Sequence, residues 1–222
     1  MSAGFTLIEV VVVLVLSSLM IGAAVKGQGL IDTVAAKRLE QDFRTIPALL
    51  NAYQDKFKRL PGDDANVGQH LGLANADKGD GDGIINGTWY DEGTVSDSAK
   101  IWRHLHQAGL LSDGSFVADA PVNVLGSRLG IQGGDASQSP IVDASGHGLK
   151  GSYIVCSSGI PGNIAQQLDI HLDDGNPATG SVMIAQDPGA PYRQTGLLAA
   201  TLGSHTDTDI RPDLHYVVCM GT

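Results

Sequence analysis

Acids alternate with glycines in Asp77-Lys78-Gly79-Asp80-Gly81-Asp82-Gly83-Ile84-Ile85-Asn86. Glycine lets a backbone curl tightly, so several carboxylates in such a run can converge on one point. Hard oxygens in flexible geometry suit calcium, which takes about six to eight of them; zinc asks for His or Cys, and none lies nearby in sequence. The expected ligands are Asp77, Asp80, Asp82 and the Asn86 side chain, with Glu92 completing the shell. Without a cation these carboxylates repel one another, and the alternative reading is a solvated acidic turn.

The spacing resembles an EF-hand calcium loop with one residue added between Asp77 and Asp80. It lacks a glutamate in the closing position, so Asp91 or Glu92 can serve only if the loop folds back. A second residue with chemistry is Glu9, the one charge in an otherwise apolar run over 5–25. A carboxylate inside an apolar helix is costly, about 2–4 kcal/mol near a membrane centre. Glu9 either snorkels to the interface or pairs with a cation from another copy of the chain. The two cysteines, Cys156 and Cys219, each lie in a β-like run and form no Cys-x-x-Cys pair. An oxidising compartment would let them close a disulfide; otherwise they are two buried thiols. No Gly-x-Ser-x-Gly, His-Glu-x-x-His or phosphate-binding glycine loop occurs, and the seven histidines are scattered. The expected class is therefore not an enzyme.

Those residues need elements to hold them. The run over 5–25 is long enough to span a bilayer as a helix, which takes about 20 apolar residues. From residue 26 to residue 60 the pattern turns amphipathic: Leu39, Phe43, Ile46, Leu50, Tyr53 and Phe57 recur at helical spacing and form one docking face. Pro47 should kink this stretch near residues 44–46, and Leu60-Pro61-Gly62-Asp63 should stop it. A loop follows over 61–94. Residues 96–108 read as a helix capped by Ser96 or Asp97, with Ile101, Trp102, Leu105 and Ala108 on one face. Residues 110–150 suggest loops and small strands. The clearest strands are 152–158, 181–186 and 214–220, with a short helix carrying Ile164, Leu168 and Leu172 between the first two.

Gly4-Phe5-Thr6-Leu7-Ile8-Glu9-Val10 resembles the signal of type IV prepilins and type II secretion pseudopilins. The resemblance implies that a prepilin peptidase cuts after Gly4, that Phe5 becomes a methylated N-terminus, and that Glu9 is the assembly glutamate facing a neighbour's amine. It also implies an α+β, pilin-like fold: residues 1–4 as leader, 5–25 as transmembrane and assembly helix, 26–60 as its amphipathic continuation, and 61–222 as an extracytoplasmic head with a small antiparallel sheet. A region closed by Cys156 and Cys219 would resemble the disulfide-bounded part of many pilins. The leader departs from the family in having no Lys or Arg, and Gly22, Gly27 and Gly29 stand where the family usually has a proline.

The implied function is a structural subunit of a type IV pilus or pilus-like filament. The alternatives are a pseudopilin of a type II secretion system and a minor or tip subunit with an adhesive role. The implied partners are other copies or other pilins, the prepilin peptidase, an inner-membrane assembly platform, and the membrane before assembly. The implied location is the bacterial inner membrane with the head in the periplasm, then a periplasmic or cell-surface filament. Charge agrees with a head that avoids polyanions: residues 1–60 carry net +2 and residues 61–222 net −12. Phosphates would be repelled, so nucleic acid is not an expected partner.

Overall fold

The structure, a computed structural model, describes residues 6–93, 95–111, 121–135, 138–189, 196–201 and 209–222, and leaves out the side chains of 22–28. Helix α1 runs from Leu7 to Phe57. At 1.5 Å per residue its 51 residues extend about 75 Å. Thr6 caps it, its hydroxyl accepting from the Glu9 N–H at 3.4 Å, so Thr6 and Glu9 stand at the spacing of a capping box. Lys58 ends it in the left-handed region with φ 55°. Pro47 does not break the helix. An interior proline costs about 3 kcal/mol, and here Phe43, Ile46 and Leu50 are buried on both sides of it, which offsets that cost.

The two halves of α1 meet different surroundings. Residues 7–21 are exposed throughout, Leu7 by 83 %. Burial begins at Ala35 and continues through Ala36, Leu39, Phe43, Ile46, Leu50 and Tyr53, with Phe57 half-buried. Among the described residues no helix is long and apolar enough to cross a membrane. The span expected over 5–25 runs into residue 5 and into the side chains of 22–25, which lie outside that description.

The head contains α2 (Val67–Leu71), a single 3-10 turn (Asn75–Asp77), α3 (Asp97–Gln107), β1 (Leu129–Gly133), β2 (Ile141–Val142), β3 (Tyr153–Pro161), α4 (Gly162–Leu172), β4 (Val182–Gln186), β5 (Leu197–Leu198) and β6 (His215–Gly221). The main sheet has the order β1-β3-β6-β4 and every pairing in it is antiparallel. β2 and β5 form a separate parallel pair. The fold is thus α+β and pilin-like, a long N-terminal helix on a small antiparallel sheet.

Side chains alternate across this sheet, as the period of a strand requires. Tyr153, Val155, Val182, Ile184, Tyr216 and Val218 share one core with the stripe of α1, with Ile101 and Leu105 of α3, and with Ile164, Ala165 and Leu168 of α4. Ile154, Cys156, Met183, Ala185, Val217 and Cys219 point to the other face, into a second core with Trp89, Ile141, Leu149 and Ala199. The strands expected at 152–158, 181–186 and 214–220 are β3, β4 and β6, within a few residues at each end. β1 lies in the stretch expected to hold small strands, and its Gly130 lets another backbone come close. A Cβ there would stand 1.8 Å from the Trp89 carbonyl oxygen.

Cys156 and Cys219 are direct partners across β3 and β6, with Cα atoms 4.1 Å apart, and they are disulfide-bonded. Both are fully buried. Closing a loop of sequence separation 63 constrains the unfolded chain by about 4 kcal/mol in the chain-entropy treatment. Thiol titration of denatured, unreduced protein should find no free thiol. Paired Cys156→Ser and Cys219→Ser substitutions should cost about 2–5 kcal/mol in denaturant unfolding. A double variant as stable as the parent would show that the bridge contributes nothing.

Candidate functional site

Two regions carry the residues singled out above. The first is the start of α1. Gly4 and Phe5 lie outside the described residues. Glu9 stands in the first turn of the helix and is exposed, as are Leu7, Ile8, Val10, Val11, Val12 and Val13 around it. Its carboxylate therefore projects from a surface that is apolar toward residues 10–13. A negative charge in the first turn is favoured by the partial positive charge of the helix N-terminus.

The second region is the loop between α1 and α3, and it is built differently from the expected cation loop. Asp77 is buried and its carboxylate pairs with Arg103 at 2.5 Å. Glu92 pairs with Arg128, which also donates to the Asp91 carbonyl at 2.6 Å. Asp82 is exposed and accepts from the Ile84 N–H at 2.7 Å and from the Asn86 amide at 3.4 Å. Among the described residues, Asp80 alone of the four expected carboxylate ligands enters a converging group, with Asp63 and Asp97, and the fifth expected ligand, Asn86, lines the same cleft. Asp77 and Glu92 have arginines close enough to neutralise them, which the local run of acids could not show.

Asp63 comes from the helix-stop motif and Asp97 from the first turn of α3. Asp63 accepts from the Gly81 N–H at 2.5 Å and from the Gly83 N–H at 2.8 Å. Burial raises its pKa against those two donors, and a carboxyl–carboxyl hydrogen bond with Asp80 raises it further. Burial raises Asp97 as well, against the Asn86 N–H and Lys100. Lys100 is itself buried; its ammonium lies 3.5 Å from Asp97 and donates to the Lys78 carbonyl at 3.0 Å. The group borders an open cleft of about 540 Å³ lined also by Asn75, Asn86 and Ser96. Backbone donors and a lysine already answer much of its charge.

A polar lattice ties this loop to the helices. Asp64 is buried and accepts from Tyr53 of α1 at 2.8 Å and from the Asn66 N–H at 2.8 Å, and contacts His70 at 2.6 Å. Burial alone would raise Asp64, but His70 and the two donors outweigh it and hold its pKa below the ordinary value. His104 of α3 is buried and joins two segments of the loop. Its Nδ1 accepts from the Gly62 N–H at 2.9 Å, and its Nε2 stands 2.8 Å from the Asp77 carbonyl. That pattern requires the neutral tautomer protonated at Nε2. Sequence reasoning missed Asp63, Asp97 and His104 as partners. The adjacent acids Asp63-Asp64 right after a helix stop were the available signal.

A family model for the Prokaryotic N-terminal methylation motif matches residues 1–25. No curated protein and no solved structure matches the chain. Fold and signal together define a class, the pilin-like proteins whose long N-terminal helix carries a processing signal. This chain bears the type IV pilin and pseudopilin prepilin signal at its N-terminus.

Burial holds the His104 pKa below its ordinary value of 6.5, against the contrary pull of the Asp77 carbonyl and nearby carboxylates. Below that pH the unfolded chain takes up a proton that the folded chain refuses. His104 therefore contributes stability above 6.5 that is lost as the pH falls toward its folded value. Urea unfolding of the detergent-solubilised chain at about pH 7.5 and about pH 5.5 should show a steeper acid loss in the parent than in His104→Gln. All other titrating groups are common to both proteins, so equal losses would exclude this role for His104.

Proposed function

We propose that the chain is a structural subunit of a type IV pilus or pilus-like filament, assembled through α1 after prepilin peptidase has cut between Gly4 and Phe5. The observation that carries this reading is the bare apolar first half of α1, with Glu9 exposed in its first turn, joined to a head that buries the helix only from Ala35 onward. Such a surface needs a non-aqueous environment. At about 25 cal/mol per Å² of apolar area removed from water, fifteen or so exposed apolar side chains drive either insertion into lipid or packing against other helices.

In this reading the subunit waits in the inner membrane with its head in the periplasm. An assembly platform then moves it into a filament, periplasmic or on the cell surface, made of other copies or other pilins. The lipid contacts of residues 7–21 become helix–helix contacts. Glu9 is then surrounded by apolar side chains, and the N-methylated Phe5 amine of a neighbour is the cation of matching kind. In a low dielectric such a pair is strongly directional, and removing one partner strands the other at a cost of about 3–5 kcal/mol. This gives the pair its use: it fixes axial register between helices whose apolar surfaces alone could slide.

Intact-mass measurement of membrane-extracted protein should give a chain that starts at Phe5 and carries one methyl group. A mature start after Ala24 would overturn the reading. Glu9→Leu should leave the protein in the membrane fraction while lowering its amount in sheared filaments at least severalfold. Normal recovery of this variant in the sheared fraction would rule out the assembly role of Glu9.

A further inference from the structure

Away in sequence from the loop described above, three carboxylates meet at the C-terminal end of α4. Asp169 lies on the buried side of the helix, one turn after Ala165. It is fully buried, and among the described residues neither carboxylate oxygen has a hydrogen-bond partner. Its carboxylate converges with those of Asp173 and Asp174, one oxygen from each lying within 4.8 Å of the others. The charges that reach Asp169 are those two aspartates, both of its own sign. The C-terminal end of a helix adds partial negative charge to the same place.

We propose that Asp169, Asp173 and Asp174 form a divalent-cation site, with calcium as the ion it takes.

The geometry of the turn supports this. Asp173 uses Oδ2 for both of its hydrogen bonds, from the Ser181 N–H and from the Val182 N–H at 2.9 Å, which leaves Oδ1 for a ligand. Gly180 makes that arrangement possible. It has φ 82°, and a Cβ there would stand 1.9 Å from Asp173 Oδ2. Asp174 accepts from the Asn176 N–H and the Thr179 hydroxyl, each at 2.8 Å. Those bonds orient it while each oxygen keeps a lone pair. Asp174 is exposed and Asp173 half-buried, so the group opens to solvent on one side.

The contrast with Asp63, Asp80 and Asp97 is instructive. There the carboxylates accept backbone N–H groups and a buried lysine stands beside them. Asp173 and Asp174 also take backbone donors, but among the described residues neither Asp169 oxygen accepts a hydrogen bond. Burial and its two acidic neighbours push the Asp169 pKa up to about 7. A divalent cation bound on the open side answers the buried oxygens and the net charge together. Oxygen ligands of this kind, in a turn that can adjust, suit calcium more than the stricter octahedral demand of magnesium.

The test uses the full chain in detergent with its disulfide intact, stripped by chelator and then titrated with calcium chloride. Calorimetry should find one site, with a dissociation constant at or below about 10⁻³ M, as in extracellular calcium modules. The melting temperature should rise with calcium and less with magnesium. Loss of an outer hydrogen-bonding partner weakens metal sites by about 10–100-fold. Removing a ligand should cost at least that, so Asp169→Asn and Asp174→Asn should each abolish the calcium response. Asp174 is exposed, and an asparagine there can keep the Asn176 and Thr179 bonds, so that variant reports on binding even if Asp169→Asn fails to fold. Asp80→Asn should bind calcium as the parent does. An absent response in the parent, a response that survives Asp174→Asn, or one lost in Asp80→Asn would each overturn the assignment. None of these outcomes depends on filament assembly.

Discussion

A helix that exposes a mostly apolar surface over residues 7–21 and is buried along a single stripe from Ala35 onward must satisfy two solvents. That division, at Ala35, governs the rest of the molecule. The stripe Leu39, Phe43, Ile46, Leu50 and Tyr53 is the common wall against which α3, α4 and one face of the main sheet are packed. Each large side chain fully buried there contributes about 1.5–3 kcal/mol, so the stripe as a whole outweighs the roughly 3 kcal/mol that an interior proline costs. This is why Pro47 is accommodated and why the head has a defined seat. The same stripe ends before the apolar half begins, so the head leaves residues 7–21 bare.

The loop following α1 shows how polar groups complete what apolar packing starts. A segment with this many acids and glycines has little to bury, and it is held by charge-assisted contacts instead. Tyr53, His70 and Arg103 each meet an aspartate of the loop, and His104 bridges two of its backbone groups. Hydrogen bonds to charged groups are worth about 1.5–3 kcal/mol each, and burial removes the competition from water. The acids in this region act mainly as fasteners between the loop and the helices.

Sequence periodicity made the large elements legible. The stripe of α1, the face of α3 and the strands β3, β4 and β6 follow from spacings of 3.6 and 2, because each buries one side against the same core. β1, β2, β5 and α2 were not individually legible. Leu129-Gly130-Ile131-Gln132-Gly133 carries two glycines and depends for its strand conformation on β3 beside it and Trp89 above it. For the acidic loop, spacing suggested which carboxylates were near one another but not which cations came to them. Arg103 and Arg128 arrive from 26 and 36 residues away, and Asp63 and Asp97 flank the run from outside. Local pattern reports on what the chain itself brings to a point, and tertiary partners decide how that charge is used.

The cross-strand bridge has a mechanical side. Force that enters the head through α1 passes along the backbone to β3 and there meets a covalent branch. At Cys156 the shorter path to β6 runs through two sulfurs, and the chain between the cysteines, with α4, β4 and β5, lies outside the line of load. That segment of sequence separation 63 would add about 200 Å of contour if it were drawn out straight, at about 3.3–3.6 Å per residue. With the bridge closed this length is withheld, and a pull on the two ends of the chain cannot draw out α4, β4 or β5 while the disulfide stands.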